Sequence, residues 1–444
     1  MRAPEWRDLH SDLAALHAAA LVAADPRRAV AGEVARCGDN VILAGEPIRL
    51  ARHASVWLIA AGKAASGMTA GCSALDGKIS GGLVIEPQGA PPAPDELAPL
   101  PRNVTRLAAS HPLPDESSLA AGAAVERLLA RAGADDLVLV LLSGGASALL
   151  ESLPEGVSLA DLRRVTERLQ RAGADIVELN TVRRALSRLK GGRLARLAEP
   201  AIVATLALSD VVGDRPETIG SGPTVDSPTG PEEALRILRR HGLDRELPEI
   251  VTVLRATAPQ APANRPAEEI FRVVASNRHA TEAVARAAAA RGFRAQVMTT
   301  ILQGEARDAG RAVGELAVGA AARGVPAGAP ACWVFGGETT VTVRGSGRGG
   351  RNHELALGAA LVLAGCRRAA VLSFATDGVD GSSAAAGALA TGETVARAEA
   401  MGLSPLRALA DNDSGPFFRA LGDSWGTGPT GTNVNDLVVA LVYP

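Results

Sequence analysis

"DLVLVLLSGGASALL", Asp136–Leu150, is an unbroken apolar run that halts at Ser143-Gly144-Gly145 and resumes as a helix-forming stretch. A strand apolar on both faces needs cover on both faces, which points to a parallel sheet between layers of helices. Outward from it, "VWLIAAG" (56–62), "GGLVIE" (81–86), "VTRLAAS" (104–110) and "AIVATLALSD" (201–210) read as further strands of that kind. "AAGAAVERLLARAG" and "LADLRRVTERLQRAG" carry apolar residues at helical spacing. Strands alternating with helices predict an α/β fold. A second set follows: "FRVVAS" (271–276), "AQVMTT" (295–300), "CWVFGG" (332–337), "AAVLSFATDG" (369–378) and "DLVVALVY" (436–443). The Pro- and Ala-rich stretch 247–269 reads as the connection between the sets, and 87–101 as an exposed loop within the first. A chain of 444 residues exceeds one ordinary core, so two domains are expected, 1–255 and 256–444.

Composition narrows the function classes. Apolar content of 47% with 21% charged residues is an ordinary globular mix. Aromatics at 2% leave few stacking platforms, and a net charge of −2 supplies no basic field, so nucleic acid is not an expected partner. No apolar run suits a bilayer span, and residues 1–24 read as an amphipathic helix, so no membrane partner and a cytoplasmic setting are expected. Cys37, Cys72, Cys332 and Cys366 form no C-x-x-C and read as reduced and mostly buried.

The strand ends carry the chemistry. Many finish in small or polar tips, and ligands in open parallel sheets bind beyond the carboxyl ends of strands. Tips facing each other from two domains would make a cleft. At Ser143, Gly144, Gly145 and Ser147 a tight turn enters a helix, where backbone amides can meet an anion or simply make the turn. Lys63 stands at a second strand-to-helix junction, a phosphate point charge or an idle surface lysine. The loop 206–224 carries Asp210, Asp214 and Glu217 among glycines, and carboxylates so placed suit Mg²⁺, which keeps water and phosphate in its remaining sites. Asp377 and Asp380 lie in a D-G-x-D-G string too sparse for an EF-hand, and Asp-Gly is also ordinary turn chemistry. His111 and His353 are candidate acid–base groups, although a lone His near a turn is more often structural.

"TVTVRGSGRGGRNHELAL", from Thr340, contains Gly345-Ser-Gly347-Arg-Gly349-Gly350, a G-x-G-x-x-G string. A dinucleotide fingerprint follows a buried apolar strand and has an acidic residue about 20 positions on. Here "ETTVTVR" alternates like a half-exposed antiparallel strand, and Asp377 comes too late. Arg348 and Arg351 instead suggest a loop offering planar forks to phosphate or carboxylate; a solvated hairpin loop is the plainer alternative.

"GKAASGM", "SHPLPDESS", "LLSGGASALL", "ELNTVRRALSRLKGGRLA", "LSDVVGDRPETIGSGPT", "FGGETTVTVRGSGRGGRNHELAL", "FATDGVDGSSAAAGA" and "GTNVNDLVV" occur in this order along nearly the whole chain. Together they closely resemble the type II glycerate kinase family, whose C-terminal half carries the MOFRL region. The resemblance implies two α/β domains, the first a Rossmann-like parallel sheet with helices on both faces and the second a mixed sheet, with the active site in the interdomain cleft. It implies phosphorylation of D-glycerate at O2 by ATP with a divalent cation such as Mg²⁺, giving 2-phosphoglycerate. It points to Lys63 and Arg351 as catalytic residues. Phosphoryl transfer asks for cations, a metal and alignment. Accordingly Asp210 is a candidate catalytic carboxylate, and Asp210 and Asp214 are candidate metal ligands. Ser143, Gly144, Gly145, Ser147, Arg348, Asn352, Glu338 and Asp377 are candidate binding residues. Expected partners are small-molecule substrates, with a homodimer left open. The competing classes are an NAD(P)H-dependent hydroxypyruvate reductase and a non-catalytic organic-acid-binding protein.

Overall fold

The computed structural model describes residues 6–89, 100–227, 229–257, 270–324 and 329–444. Most of the loop expected at 87–101, and the part of the expected connection beyond 257, lie outside the described residues. The chain forms two compact units. One holds Pro26–Ser209 and Asp214–Val274; the other holds the chain up to Asp25, Asp210–Gly213 and Ala275–Pro444.

The first unit is built on a six-stranded sheet in the order Val104–Ala109, Ile79–Pro87, Val56–Ala61, Leu137–Leu142, Ile202–Leu208, Ile270–Ala275. Numbered along the chain, this is 3-2-1-4-5-6, the doubly wound order. The four strand pairs from Val104–Ala109 to Ile202–Leu208 are parallel. Every residue of Val56–Ala61 and Leu137–Leu142 is buried, as unbroken apolar strands require. Helix Glu116–Leu129 packs on this sheet, its start fixed by a capping box between Asp115 and Ser118. A three-stranded antiparallel meander, Val34–Cys37, Asn40–Leu43 and Glu46–Arg49, precedes the sheet. A separate all-helical core joins Leu159–Arg171, Ile176–Ala185, Pro231–Arg240 and Pro248–Ala256 through Leu162, Val165, Val182, Leu238 and Ile250.

The second unit holds the mixed sheet, ordered Arg294–Leu302, Ala331–Gly337, Asp436–Val442, Ala369–Ala375, Gly387–Thr391, Ser424–Trp425. The first two strands pair in parallel and the others antiparallel. Asp436–Val442 is buried along its whole length and joins the two halves of the sheet. Helices Ala306–Ala322 and Arg351–Leu363 pack closely together over it.

Two expectations change. "FRVVAS" is the sixth strand of the first sheet, not a member of the second set, so that unit takes one more strand after residue 255 before the chain departs. "ETTVTVR" is not a strand: only Thr340 makes an isolated bridge, parallel to Glu305. Its Thr/Val alternation belongs to an irregular segment with Val343 72% exposed, held by Thr340 on Gly304 and Thr342 on the Glu305 carboxylate and not by a strand ladder. Cys72 and Cys332 are buried, Cys366 is partly buried and Cys37 is exposed; all four are free thiols.

Candidate active site

In the parallel sheet the strand order reverses between Val56–Ala61 and Leu137–Leu142, the place where doubly wound sheets bind ligands. The loops leaving these two strands interlock. The Lys63 amide donates to the Gly144 carbonyl at 2.9 Å and the Ala64 amide to Ser143 Oγ at 3.0 Å. Lys63 is left with an exposed side chain. His111 lies across the turn, its imidazole pKa lowered by burial and then by the charge of Lys63. Ser143 is buried and its hydroxyl is engaged by the protein itself. Ser147 Oγ bonds Ser221 Oγ at 2.7 Å. Helix Ala146–Leu149 has only four residues, so its dipole offers an anion little. Gly145 has φ +89°, and a Cβ there would lie 2.9 Å from His111 Cδ2. Both facts require glycine, independently of any ligand.

At the matching end of the mixed sheet, Gly337, Asp436 and Ala375 are register partners. Glu338, Asp377 and Asp436 therefore gather at one edge. Arg351 opens the facing helix. It donates to Asp436 through Nε and, at 3.0 Å, through Nη2, while Nη1 lies 3.1 Å from Glu338. Asp436 is buried, and burial pushes its carboxyl up to about 6 against the downward pull of Arg351. Burial opposes the charge of Arg351, but the hydrogen bonds and charge of Asp436, then Glu338, raise its pKa overall. Arg351 and Glu338 line a cavity of about 600 Å³ with Gly349, Gly350 and Ser382, large enough for a substrate.

The glycine loop has a different use from the one its string suggests. The amides of Arg344 and Gly345 donate to Asn412 Oδ1 at 2.7 and 3.1 Å, that of Ser346 to Asp411 Oδ1 at 3.0 Å, and that of Arg348 to Asp413 Oδ1 at 2.9 Å. A Cβ at Gly345 or Gly347 would come within 2.2–2.5 Å of Asp411, and one at Gly350 within 2.3 Å of Asp380. The glycines admit close approach to this protein's own segments 380 and 411–413, so neither a dinucleotide turn nor a mobile hairpin describes the loop. Gly347→Val should therefore unseat it: we expect at least 2 kcal/mol of local destabilisation, about the scale of overpacking, seen as accelerated amide exchange across 344–350.

Other candidates sort by environment. Arg348 is exposed. Asn352 is buried, with its amide nitrogen on Asp380 at 3.3 Å and its carbonyl receiving Ser373 Oγ at 2.6 Å, so it braces the helix start and has no face for a ligand. His353 is buried on Asp380 at 2.6 Å, a structural pair. Asp377 accepts the Val379 amide at 3.0 Å and is partly exposed. Asp210 and Asp214 are partly exposed, Asp214 with φ +52°. Among the described residues no three His, Cys, Asp or Glu side chains come together as a metal cage. Asp436 was missed in the sequence, although a carboxylate opening the apolar run "DLVVALV" is itself a signal. So was a buried pair, Lys190 with Glu151, whose second oxygen receives Ser187 Oγ at 2.6 Å and the Ser152 amide at 3.1 Å.

Residues 12–255 match a family model described as a domain of unknown function (DUF4147), and 331–436 match the MOFRL family. A protein of Pyrococcus horikoshii named glycerate 2-kinase is 39% identical over 95% of both chains. D-glycerate 2-kinase of Thermotoga maritima is 39% identical over 87% of this chain and 90% of its own. A relative in Agrobacterium vitis, 41% identical over 87% of this chain and 86% of its own, carries a provisional hydroxypyruvate reductase name. A solved structure titled glycerate kinase, from Thermotoga maritima, superposes with TM-score 0.86 at 35% identity, covering 98% of this chain and all of that one. By this full-length likeness in sequence and structure, the chain belongs to the glycerate 2-kinase family.

Proposed function

We propose that this protein transfers the γ-phosphoryl group of ATP to O2 of D-glycerate, giving 2-phosphoglycerate and ADP. The observation that carries the reading is the near-full-length match to the Pyrococcus horikoshii glycerate 2-kinase. The docked glycine loop argues against the reductase alternative, because its glycines are occupied by Asp411, Asp413 and Asp380. Parallel assays decide between the two. ADP and 2-phosphoglycerate should form from ATP and D-glycerate, with the 2-phosphate identified by phosphorus NMR. NAD(P)H oxidation on hydroxypyruvate without kinase activity would overturn the proposal.

In this reading O2 attacks the γ-phosphorus, the bond to ADP breaks, and the O2 proton passes to a carboxylate, for which Asp210 is the candidate. Negative charge spreads over the phosphoryl oxygens in the transition state. Arg351, its Nε and Nη2 held by Asp436, keeps Nη1 for that charge, and the exposed Lys63 is a candidate for a cation on the substrates. Glu338 holds Nη1 until a phosphate takes its place. Asp210 or Asp214 would hold a Mg²⁺ ion, which needs only one or two protein carboxylates. When bound, it would neutralise charge on the transferring group.

Lys63→Ala should lower kcat about 100-fold and leave the fold intact, since the side chain is exposed. The double mutant of Lys63→Ala with Arg351→Ala reads whether the two are coupled: a loss smaller than the sum of the singles marks coupling, and additive losses separate their roles. Acid should also act through Asp436. Below about pH 6 its carboxyl takes a proton and weakens its hold on Arg351, so kcat should fall on an acidic limb near that value. Stability moves the other way. A carboxyl raised in the fold binds more protons there than in the unfolded chain, so its contribution declines as pH rises from about 4 to about 6. A pH–kcat profile in which Asp436→Asn retains the limb would refute the assignment.

A further inference from the structure

The structure assigns an oxyanion-binding role to Arg183: we propose that it receives a charged group of a substrate, the carboxylate of glycerate or a phosphate of ATP. This rests on the kinase reading. Arg183 belongs to the last turn of helix Ile176–Ala185. Its Nε is buried without a hydrogen-bond partner, and among the described residues the side chain forms no ion pair. A helix C-terminus accounts for a cation that reaches water, but Arg183 is only partly exposed and its Nε is withdrawn. Its surroundings are already rich in positive charge. Lys190, fully buried, takes one oxygen of Glu151, and Ser187 with the Ser152 amide takes the other. Glu151 is thereby saturated by Lys190 and its hydrogen bonds, and it acts on Arg183 only through space. Arg184 sends Nη1 to the Glu217 carbonyl at 3.0 Å, and its own Nε is likewise unpartnered.

Position supplies the second argument. The segment after this helix is laced to the loop beyond strand Ile202–Leu208. Gly191 and Gly192 amides donate to the Ser221 and Gly222 carbonyls at 3.1 and 2.8 Å. Ser221 reaches Ser147 in the turn after strand Leu137–Leu142. The helix that carries Arg183 is thereby tied, through Arg184 on the Glu217 carbonyl and through the segment that follows, to the loops at the carboxyl ends of these two strands, where a doubly wound sheet receives its ligand. A half-buried cation in excess of its local anions is costly to keep, and an external anion at its accessible side completes it. The planar fork suits a carboxylate or a phosphate alike.

The test is Arg183→Ala, with calorimetric titration of D-glycerate, its neutral amide and ATP alongside steady-state kinetics. Loss of a charged hydrogen bond predicts a 10- to 100-fold weakening of one substrate with kcat little changed. If glycerate weakens and its amide does not, the group is the carboxylate; if ATP weakens, it is a phosphate. Arg183→Lys should recover part of the loss. Unchanged affinity for both substrates in a folded variant overturns the inference and leaves Arg183 as a brace for Glu151. Wild-type protein that binds neither substrate would sink the kinase reading and this inference with it; wild-type binding with an indifferent variant sinks the inference alone.

Discussion

Arg351→Ala lowers kcat by about 100- to 1,000-fold, a loss of roughly 3–4 kcal/mol, with a smaller change in KM. The asymmetry follows from timing, since charge on the transferring oxygens is largest in the transition state and a group that meets it there acts on kcat. The geometry adds a reason for the size. Asp436 grips the Nε and Nη2 edge from inside the sheet, and Glu338 contacts Nη1 from the cavity side. The guanidinium is thus oriented before any ligand arrives. Arg351→Lys keeps the charge but cannot span Asp436 and a phosphoryl oxygen together, so it should be impaired as well. Arg348→Ala, at an exposed site, should matter less. Steady-state kinetics with circular dichroism as a folding control checks all three, and a well-folded Arg351→Ala with wild-type kcat and kcat/KM would remove this arginine from the mechanism.

Lys190→Met destabilises the protein by about 3–5 kcal/mol, the usual consequence of stripping one partner from a buried ion pair. The lysine side chain is 2% exposed and that of Glu151 is not exposed at all. Without the ammonium, Glu151 must stay charged in a dry site or take a proton. Burial and then Arg183 press the Lys190 pKa down while Glu151 opposes them. Replacing both members, Lys190→Met with Glu151→Gln, should recover much of the loss. The glutamine keeps an acceptor for Ser187 and the Ser152 amide while removing the orphaned charge. Thermal unfolding reads the result as a fall on the order of 10 °C for the single mutant. A single mutant that melts like wild type would show that water reaches this pair.

Periodicity and burial made most of the architecture legible. "DLVLVLL" and "VWLIAA" could only be covered strands, and they are. "FRVVAS" could not be placed, because an apolar run states that it is covered but not by which sheet. The meander Val34–Cys37 to Glu46–Arg49 was missed because its strands are four residues each, too brief for a period to emerge. Lys63 and Arg351 entered as candidates through the resemblance. The partners that position Arg351 depend on register between strands far apart in sequence, which no local pattern encodes. Gly345 and Gly347 show the opposite limit. A spacing correct to the residue arose from packing against Asp411 and Asp413, because close approach asks for glycine whether the neighbour is a pyrophosphate or an aspartate.

The strand Asp436–Val442 stands between Ala331–Gly337 and Ala369–Ala375, yet it is made after both. During synthesis those two strands leave the ribosome with no ladder between them. Each carries an open, apolar edge for the time needed to translate some sixty further residues or more, at about 5–20 per second. Such edges are where chains pair with their neighbours. The growing polypeptide thus passes through a window in which association with a chaperone or another nascent copy competes with its own final strand, and the clamp on Arg351 is the last part of the site to exist. Ribosome-stalled chains ending before residue 436 should be cut by protease within 331–391, while chains stalled well beyond 442 resist.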